Sequence, residues 1–321
     1  MPWFSFHFND FAFSFLSILL EGVPLLLLGS LISGLVDVFV SSERLTKLLP
    51  GNSTPAILLS GLLGLVFPMC ECSSVVIIRR FIKKGLPLAP AVTYMLAAPI
   101  VSPIVALSTF AAFKGRDPWV MTGLRLGLGY LITVVIGLIV RQIPASSLLQ
   151  PSMTGSAAPR SRTGLRVGAV PSQQDFASIL ESASVPQKLL LAVQSATADF
   201  LDVTVLLIIG AALASVFNTA VNQAIILPYA SNPPIAILVL MGIAASLAIC
   251  STTDAFIAAS FTAFPFEAKL AFLLFGPLFN FKLFFLYSML FKRRAVAILA
   301  VALAIVIALI CWRLGAIHLW S

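Results

Sequence analysis

The chain has little charge. Of 321 residues only 10% are Asp, Glu, Lys or Arg, against 60% hydrophobic residues and a mean hydropathy of +1.05. A water-soluble globule cannot be built from that mixture, because its surface would have to be apolar. Histidine is scarcer still: His7 and His318 stand at opposite ends, so no histidine pair offers itself to a haem, a quinone or a metal. Four cysteines without paired spacing make no disulfide framework. The start, MPWFSFHFNDFAFSF, lacks the basic residues that open a signal peptide, and the apolar run behind it has no small-residue cleavage site, so it reads as a first span. These absences leave a polytopic membrane protein.

What is present is a series of apolar runs, at about 11–40, 54–69, 86–112, 118–140, 196–218, 234–250, 267–291 and 295–314. A crossing helix needs about 20 apolar residues, and two further pieces, 73–82 and 251–264, are too short for that. One polar stretch rich in Ser, Pro, Gly and Arg reads as a flexible cytoplasmic linker over 142–190, dividing an N-terminal transmembrane repeat, 1–141, from a C-terminal one, 191–321.

The halves resemble each other at their rarest residues. Sliding the sequence by 178 sets Cys72 on Cys250, Ser73 on Ser251, Pro87 on Pro265 and Pro99 on Pro277. An offset of 181 sets Glu21 on Asp202 and Gly29 on Gly210. We read an internal duplication. The expected fold class is all-α, with two inverted repeats of about five transmembrane segments, each carrying a Pro-interrupted half helix. The positive-inside rule agrees. That arrangement puts Arg44, Lys47, Arg79, Arg80, Lys83, Lys84, Arg141, Arg160, Arg162, Arg166, Lys188, Lys292, Arg293 and Arg294 inside. Only Lys114, Arg116 and Lys269 fall in outer loops, with both termini periplasmic. The net charge of +8 is then an orientation signal, and nothing points to nucleic acid.

Paired, proline-interrupted segments in inverted halves mark a secondary transporter with its site near the midplane. Unwound backbone survives at that depth only where it lines a cavity or is buried in protein. Pro68 predicts a break over Met69 to Cys72, and in extended backbone Cys70 and Cys72 point to the same side. Ser73 or Ser74 is expected to cap the half helix that follows, and the STTD run from Ser251 to Asp254 to cap its counterpart. Cys250 would arrive across the pseudo-twofold axis as a third sulfur. The plain alternative is that these thiols pack as small apolar groups, the reading adopted for Cys311.

Charges inside a membrane cost at least about 2.5 kcal/mol each on insertion scales, so each requires a reason. Glu21 and Asp202, at matching positions in the first spans, are candidate proton-coupling residues. Glu71 is either a proton acceptor for the thiols, a cap, or a partner of Arg79 or Arg80. Asp254, Asn280 and Lys282 are candidate pathway residues. The GLRLG run at Gly123 to Gly127 and the SLISG run at Ser30 to Gly34 read as helix-packing motifs.

At these residues a resemblance enters. FPMCECSSVVIIRRFIKKGLPLAPAVTYMLAAPIVSP closely resembles the signature of the ArsP-like, or YraQ-like, permease family, and CSTTDAFIAASF with GPLFNFK looks like its counterpart. The resemblance covers both hydrophobic halves. It implies a multi-pass inner-membrane permease that exports trivalent arsenicals, with Cys70, Cys72 and Cys250, flanked by Ser73 and Ser251, as substrate ligands. No cofactor is implied. The partners are a small-molecule or metalloid substrate and the lipid bilayer, with room for a homodimer. Efflux of a soft metal cation is the alternative within transport, and a membrane thiol oxidoreductase the alternative outside it.

Overall fold

The computed structural model describes residues 8–39, 53–67, 69–115, 117–151, 185–220, 230 and 232–316. Pro68, both histidines, Arg44, Lys47, Arg116 and the arginines of the linker lie outside the described residues. Within them every regular element is a helix. In the first half these are α1 (Phe8–Phe39), α2 (Thr54–Val66), α3 (Glu71–Lys83), α4 (Leu88–Ala97), α5 (Pro103–Ala112), α6 (Pro118–Arg141) and the single turn α7 (Ala145–Leu148). The second half holds α8 (Val185–Ala220), α9 (Pro233–Leu247), α10 (Asp254–Ser260), α11 (Phe266–Leu278), α12 (Phe281–Tyr287) and α13 (Arg293–Ala316).

Proline sets many of these boundaries. It occupies the first turn of α2, α5, α6 and α9, where its missing N–H costs nothing and its fixed φ suits a helix. Ser53 completes the start of α2 by accepting from the Ala56 amide at 3.4 Å. At about 1.5 Å per residue, 24 residues reach roughly 36 Å, enough for α6 and α13 to cross the hydrocarbon layer, whereas 13 residues of α2 or α3 reach only about 20 Å. Among the described residues five stretches are long and apolar enough to cross: α1, α6, α8, α13 and the α11–α12 unit taken together.

The short helices are arranged as hairpins and broken spans. Gly61 lies by Thr93 and Gly64 by Ala98, so α2 runs parallel to α4; Ser74 Oγ meets the Met95 carbonyl at 3.3 Å, so α3 runs back against it. The chain therefore enters along α2, reverses at Phe67 to Cys70 and leaves along α3. α4 continues through Ala98 to Ser102 into α5, and α6 returns beside both, with Gly137 at Thr93, Gly129 at Ile100 and Arg125 at Thr109. The apolar run 86–112 is thus one crossing with a break in it, and the run 267–291 breaks likewise at Phe279 and Asn280. Averaged hydropathy hides both breaks: Ser102 marks the first and Asn280 with Lys282 the second, but the stretch Phe266–Tyr287 still averages 1.7.

The packing partners of one half recur in the other. α2, α4 and α6 pack on one another as α9, α11 and α13 do, and α3 packs on α4 as α10 does on α11. Across the halves, α3 meets α12 and α10 meets α5, while α1 lies along α8. Arg141 donates to Thr54 Oγ1 at 2.9 Å, fixing the end of α6 and the start of α2 on one face. On that face the first residues read as linker are docked: Leu149 is buried and bridges to Phe291, and the Lys292 amide donates to the Leu148 carbonyl at 2.9 Å. The first residue of α1 and the last of α13 lie on the opposite face. Lys269, expected in an outer loop, is buried on α11 instead.

Close approach requires glycine at two matched positions. A Cβ on Gly29 of α1 would strike the side chain of Ser73, and one on Gly210 of α8 would stand 2.8 Å from the Cα of Lys282. Gly34 in the SLISG run meets the backbone at Ala192, as a packing motif should. A Cβ on Gly123 or Gly127 would meet nothing within 4 Å, so the two glycines of the GLRLG run serve no close helix approach within the chain. Overpacking costs about 1–3 kcal/mol, so Gly29→Leu and Gly210→Leu are expected to lower the melting temperature of the detergent-solubilised protein by several degrees. Gly127→Leu is expected to leave it unchanged; equal losses at all three positions would refute the contacts.

Candidate functional site

The reversal at Phe67 to Cys70 and the one at Ala248 to Thr253 bring their tips together. Cys70, Glu71 and Cys72 from the first, Ala248 and Cys250 from the second, Ile18 and Gly22 of α1, and Lys282 of α12 line one narrow cavity of about 10 Å³, room for about one water molecule. Cys72 and Cys250 are buried and Cys70 is half-buried.

Local structure sets each sulfur. Cys70 has extended backbone, φ −71° and ψ 160°, and is itself the N-cap of α3. Its Sγ accepts from the Ser73 amide at 3.5 Å and lies 3.1 Å from Ser73 Oγ. The serine expected to cap the helix thus supports the cysteine that does. The break closes two residues earlier than expected, so Cys72 stands in the first turn of α3, yet it lines the same cavity as Cys70. The helix start directs partial positive charge at both sulfurs. In the second break Ala248 takes a left-handed φ of 50°, and the Cys250 carbonyl accepts from the amides of Thr253 and Asp254, both at 3.0 Å. The STTD run makes no side-chain cap there, because Arg125 engages the Asp254 carboxylate.

Two ion pairs cross between the halves at this level. Lys282 Nζ donates to Glu71 Oε1 at 3.0 Å and to the Ala248 carbonyl at 3.2 Å, with both side chains buried. Lys282 shares the cavity with Cys72 and Cys250 as well as Glu71. Glu71 Oε2 is buried without a hydrogen-bond partner. Arg125 of α6 donates to both carboxylate oxygens of Asp254, at 2.8 and 2.9 Å, to the Ser251 carbonyl at 2.8 Å and to Thr109 Oγ1 at 2.8 Å. Glu71 and Asp254 each open a half helix, and each pairs with a cation from the other half. Removing one member of such a buried pair costs about 3–5 kcal/mol, because the other is left as an uncompensated charge.

Other predicted residues lie elsewhere. Asn280 is buried as the cap of α12, accepting from the Leu283 amide at 2.9 Å and donating to the Gly276 carbonyl at 3.0 Å. Asp202, about half exposed, pairs with Arg79 at 3.5 Å. Arg80 reaches Asp199 and donates to Ser195 Oγ at 2.6 Å, so the two arginines serve α8 and Glu71 takes Lys282. Glu21 stands on α1, but its side chain lies outside the described residues. Cys311 is buried on α13, away from the cavity. Three sulfurs line the cavity, but among the described residues no three His, Cys, Asp or Glu stand close enough to hold a metal ion.

Sequence reasoning missed Arg125, Asp199 and Ser195. Arg125 had a signal, a lone cation inside an apolar run; its partner lies 129 positions away, where no periodicity reaches.

Comparison with known proteins agrees with this architecture. The family model described as a predicted permease, ArsP_1, matches residues 7–313. The "UPF0718 protein YcgR" of Bacillus subtilis (strain 168) is 35% identical over 91% of this chain and 92% of its own length. The "Putative two-component membrane permease complex subunit" of Streptococcus mutans serotype c is 30% identical over 94% of this chain and 93% of its own. No solved structure matches the chain significantly. Family and helices together make it a multi-pass membrane transporter of small molecules rather than an enzyme: the chain belongs to the ArsP_1 family of predicted permeases.

Proposed function

We propose that this permease exports a soft trivalent arsenic species, arsenite or a methylated relative, from the cytoplasm, and that protons moving inward drive it. The observation that carries the reading is the cavity in which Cys70, Cys72 and Cys250 meet Glu71 and Lys282. Trivalent arsenic hydroxides are neutral near pH 7, so their entry costs little beside a buried cation. Each captured thiol gives its proton to a hydroxide, which leaves as water while an arsenic–sulfur bond forms. A soft metal cation would meet the ammonium of Lys282 at the same spot, which favours the neutral species.

The two halves act as inverted repeats, a reading supported by the recurrence of packing partners and by hairpins that start from opposite faces. The face carrying Arg141, Lys292 and the linker is the cytoplasmic one. A homodimer remains our expectation for assembly. Glu71 is the proton carrier we favour, because its unpartnered Oε2 is buried at the thiol cavity; Glu21 and Asp202 are the secondary candidates. A proton on Glu71 removes the charge that holds Lys282 and frees the ammonium to balance a thiolate.

Labelling of cysteines introduced in the linker with a membrane-impermeant maleimide is expected to require permeabilised cells; labelling of intact cells would reverse the orientation. In an efflux-deficient bacterium, Cys70→Ser and Cys72→Ser are each expected to abolish resistance to arsenite at normal membrane abundance, with Cys311→Ser unchanged. Cys250→Ser is expected to weaken export of inorganic arsenite more than of a methylated form, which has only two positions open to thiols. Full export by both the Cys70→Ser and Cys72→Ser proteins would end the thiol mechanism. In vesicles under an imposed pH gradient, Glu71→Gln is expected to lose the gradient dependence of export. Its retention there, with loss in Glu21→Gln or Asp202→Asn, would move the proton to the first spans.

A further inference from the structure

Cys250 sits in the middle of a break whose backbone is held from both sides. The carbonyl of Ala248, two residues before it, accepts from Lys282 Nζ at 3.2 Å, and the carbonyl of Ser251, one residue after it, accepts from Arg125 Nη2 at 2.8 Å. Neither carbonyl accepts from a helical amide, so the side-chain donors that reach them fix where the break lies. Lys282 already lines the cavity. Arg125 does not, and it comes from the other half of the chain.

Its side chain is wholly buried, with Nη1 on Thr109 Oγ1, Nη2 shared between Ser251 O and the Asp254 carboxylate, and Nε without a partner. Asp254 in turn opens α10, the helix into which the break feeds. We propose that Arg125, locked by Asp254 and Thr109, is a positioning residue that holds Cys250 at the thiol cavity. The inference rests on the reading of that cavity as the substrate site. A lysine would not replace it, since a single ammonium on a flexible stem cannot address a hydroxyl on one side and a carbonyl with a carboxylate on the other. The arrangement also makes the placement of a second-half sulfur depend on α5 and α6 of the first half, so a shift between the halves at this level would move Cys250 relative to Cys70 and Cys72.

The test uses two full-length proteins in membrane vesicles, one keeping only Cys250 and one keeping only Cys70 and Cys72, alkylated by a small membrane-permeant maleimide. Arg125→Gln is expected to change the Cys250 rate by about tenfold, as loss of a buried charge-assisted hydrogen bond implies, while the Cys70 and Cys72 rates stay within about twofold. Arg125→Lys is expected to behave like Arg125→Gln. Asp254→Asn, which keeps an acceptor, is expected to give a smaller change in the same direction, and Arg125→Gln with Asp254→Asn is expected to change the rate by less than the product of the single effects. An unchanged Cys250 rate in Arg125→Gln overturns the proposal, and so does an equal change at all three cysteines, which marks general loosening. If Arg125→Gln fails to accumulate, Arg125→Lys and Asp254→Asn decide on the same readout. Failure of the thiol-site reading shows separately, as undiminished export by Cys250→Ser in the otherwise natural chain.

Discussion

Everything in this structure answers to one constraint: polar groups at the centre of a bilayer have no water to turn to. Two reversals and two mid-span breaks expose carbonyls there, and four ionisable side chains share the same depth. These side chains pair with one another and with carbonyls of the second reversal, leaving Glu71 Oε2 and Arg125 Nε as buried atoms without a partner. Lys282 satisfies a carboxylate and a carbonyl, and Arg125 a carboxylate, a carbonyl and a hydroxyl. Because both ion pairs, Lys282 with Glu71 and Arg125 with Asp254, join the first half to the second, the charges that would be costly in either half alone become the fastening between them. The apolar contacts of α1 along α8 add area, but area is not directional in lipid, where tails are as apolar as leucine.

The same constraint explains the amino acids at the reversals. Short helices bound to α4 and α11 satisfy their own ladders, leaving only tips to be supplied with partners. At the first tip a cysteine takes the capping position that Ser or Asp usually holds, and a serine stands behind it. At the second, a left-handed alanine turns the chain without glycine. Where α1 must come against Ser73, and α8 against Lys282, glycine removes the side chain that would hold them apart.

Much of this could be read from the residues alone. The class follows from composition, and the two sulfur-bearing breaks follow from short apolar pieces beside rare polar residues. Glu71, Lys282 and Asp254 stood out because charge is scarce, so each one inside an apolar run is conspicuous. Their partners were another matter. Pairing of Glu71 with the nearby Arg79 or Arg80 seemed natural along one helix, yet those arginines point to Asp199 and Asp202 on α8, and the cation that serves Glu71 lies 211 positions on. Local periodicity describes the face of a helix, and says nothing of which distant helix covers it. The breaks between α4 and α5 and between α11 and α12 stayed hidden for a different reason, since hydropathy averaged over a whole span stays high across a kink marked by one polar residue, Ser102 or Asn280. Asn280 could be seen in a span, but whether its amide turned to the pathway or back to its own helix end depended on Gly276 and Leu283.

The sequence separation of the buried ion pairs also bears on how the chain is made. Arg125 is synthesised 129 residues ahead of Asp254, and Glu71 211 residues ahead of Lys282. At roughly 5–20 residues per second, the first half enters the bilayer some 6 to 40 seconds before its counter-charges exist. During that interval it must shelter a carboxyl and a guanidinium by other means, through a proton, a water-filled gap or the protection of the insertion machinery. The finished protein is stitched by charge, but its first half is born with the stitches open, and biogenesis is the period in which this architecture is most exposed to error.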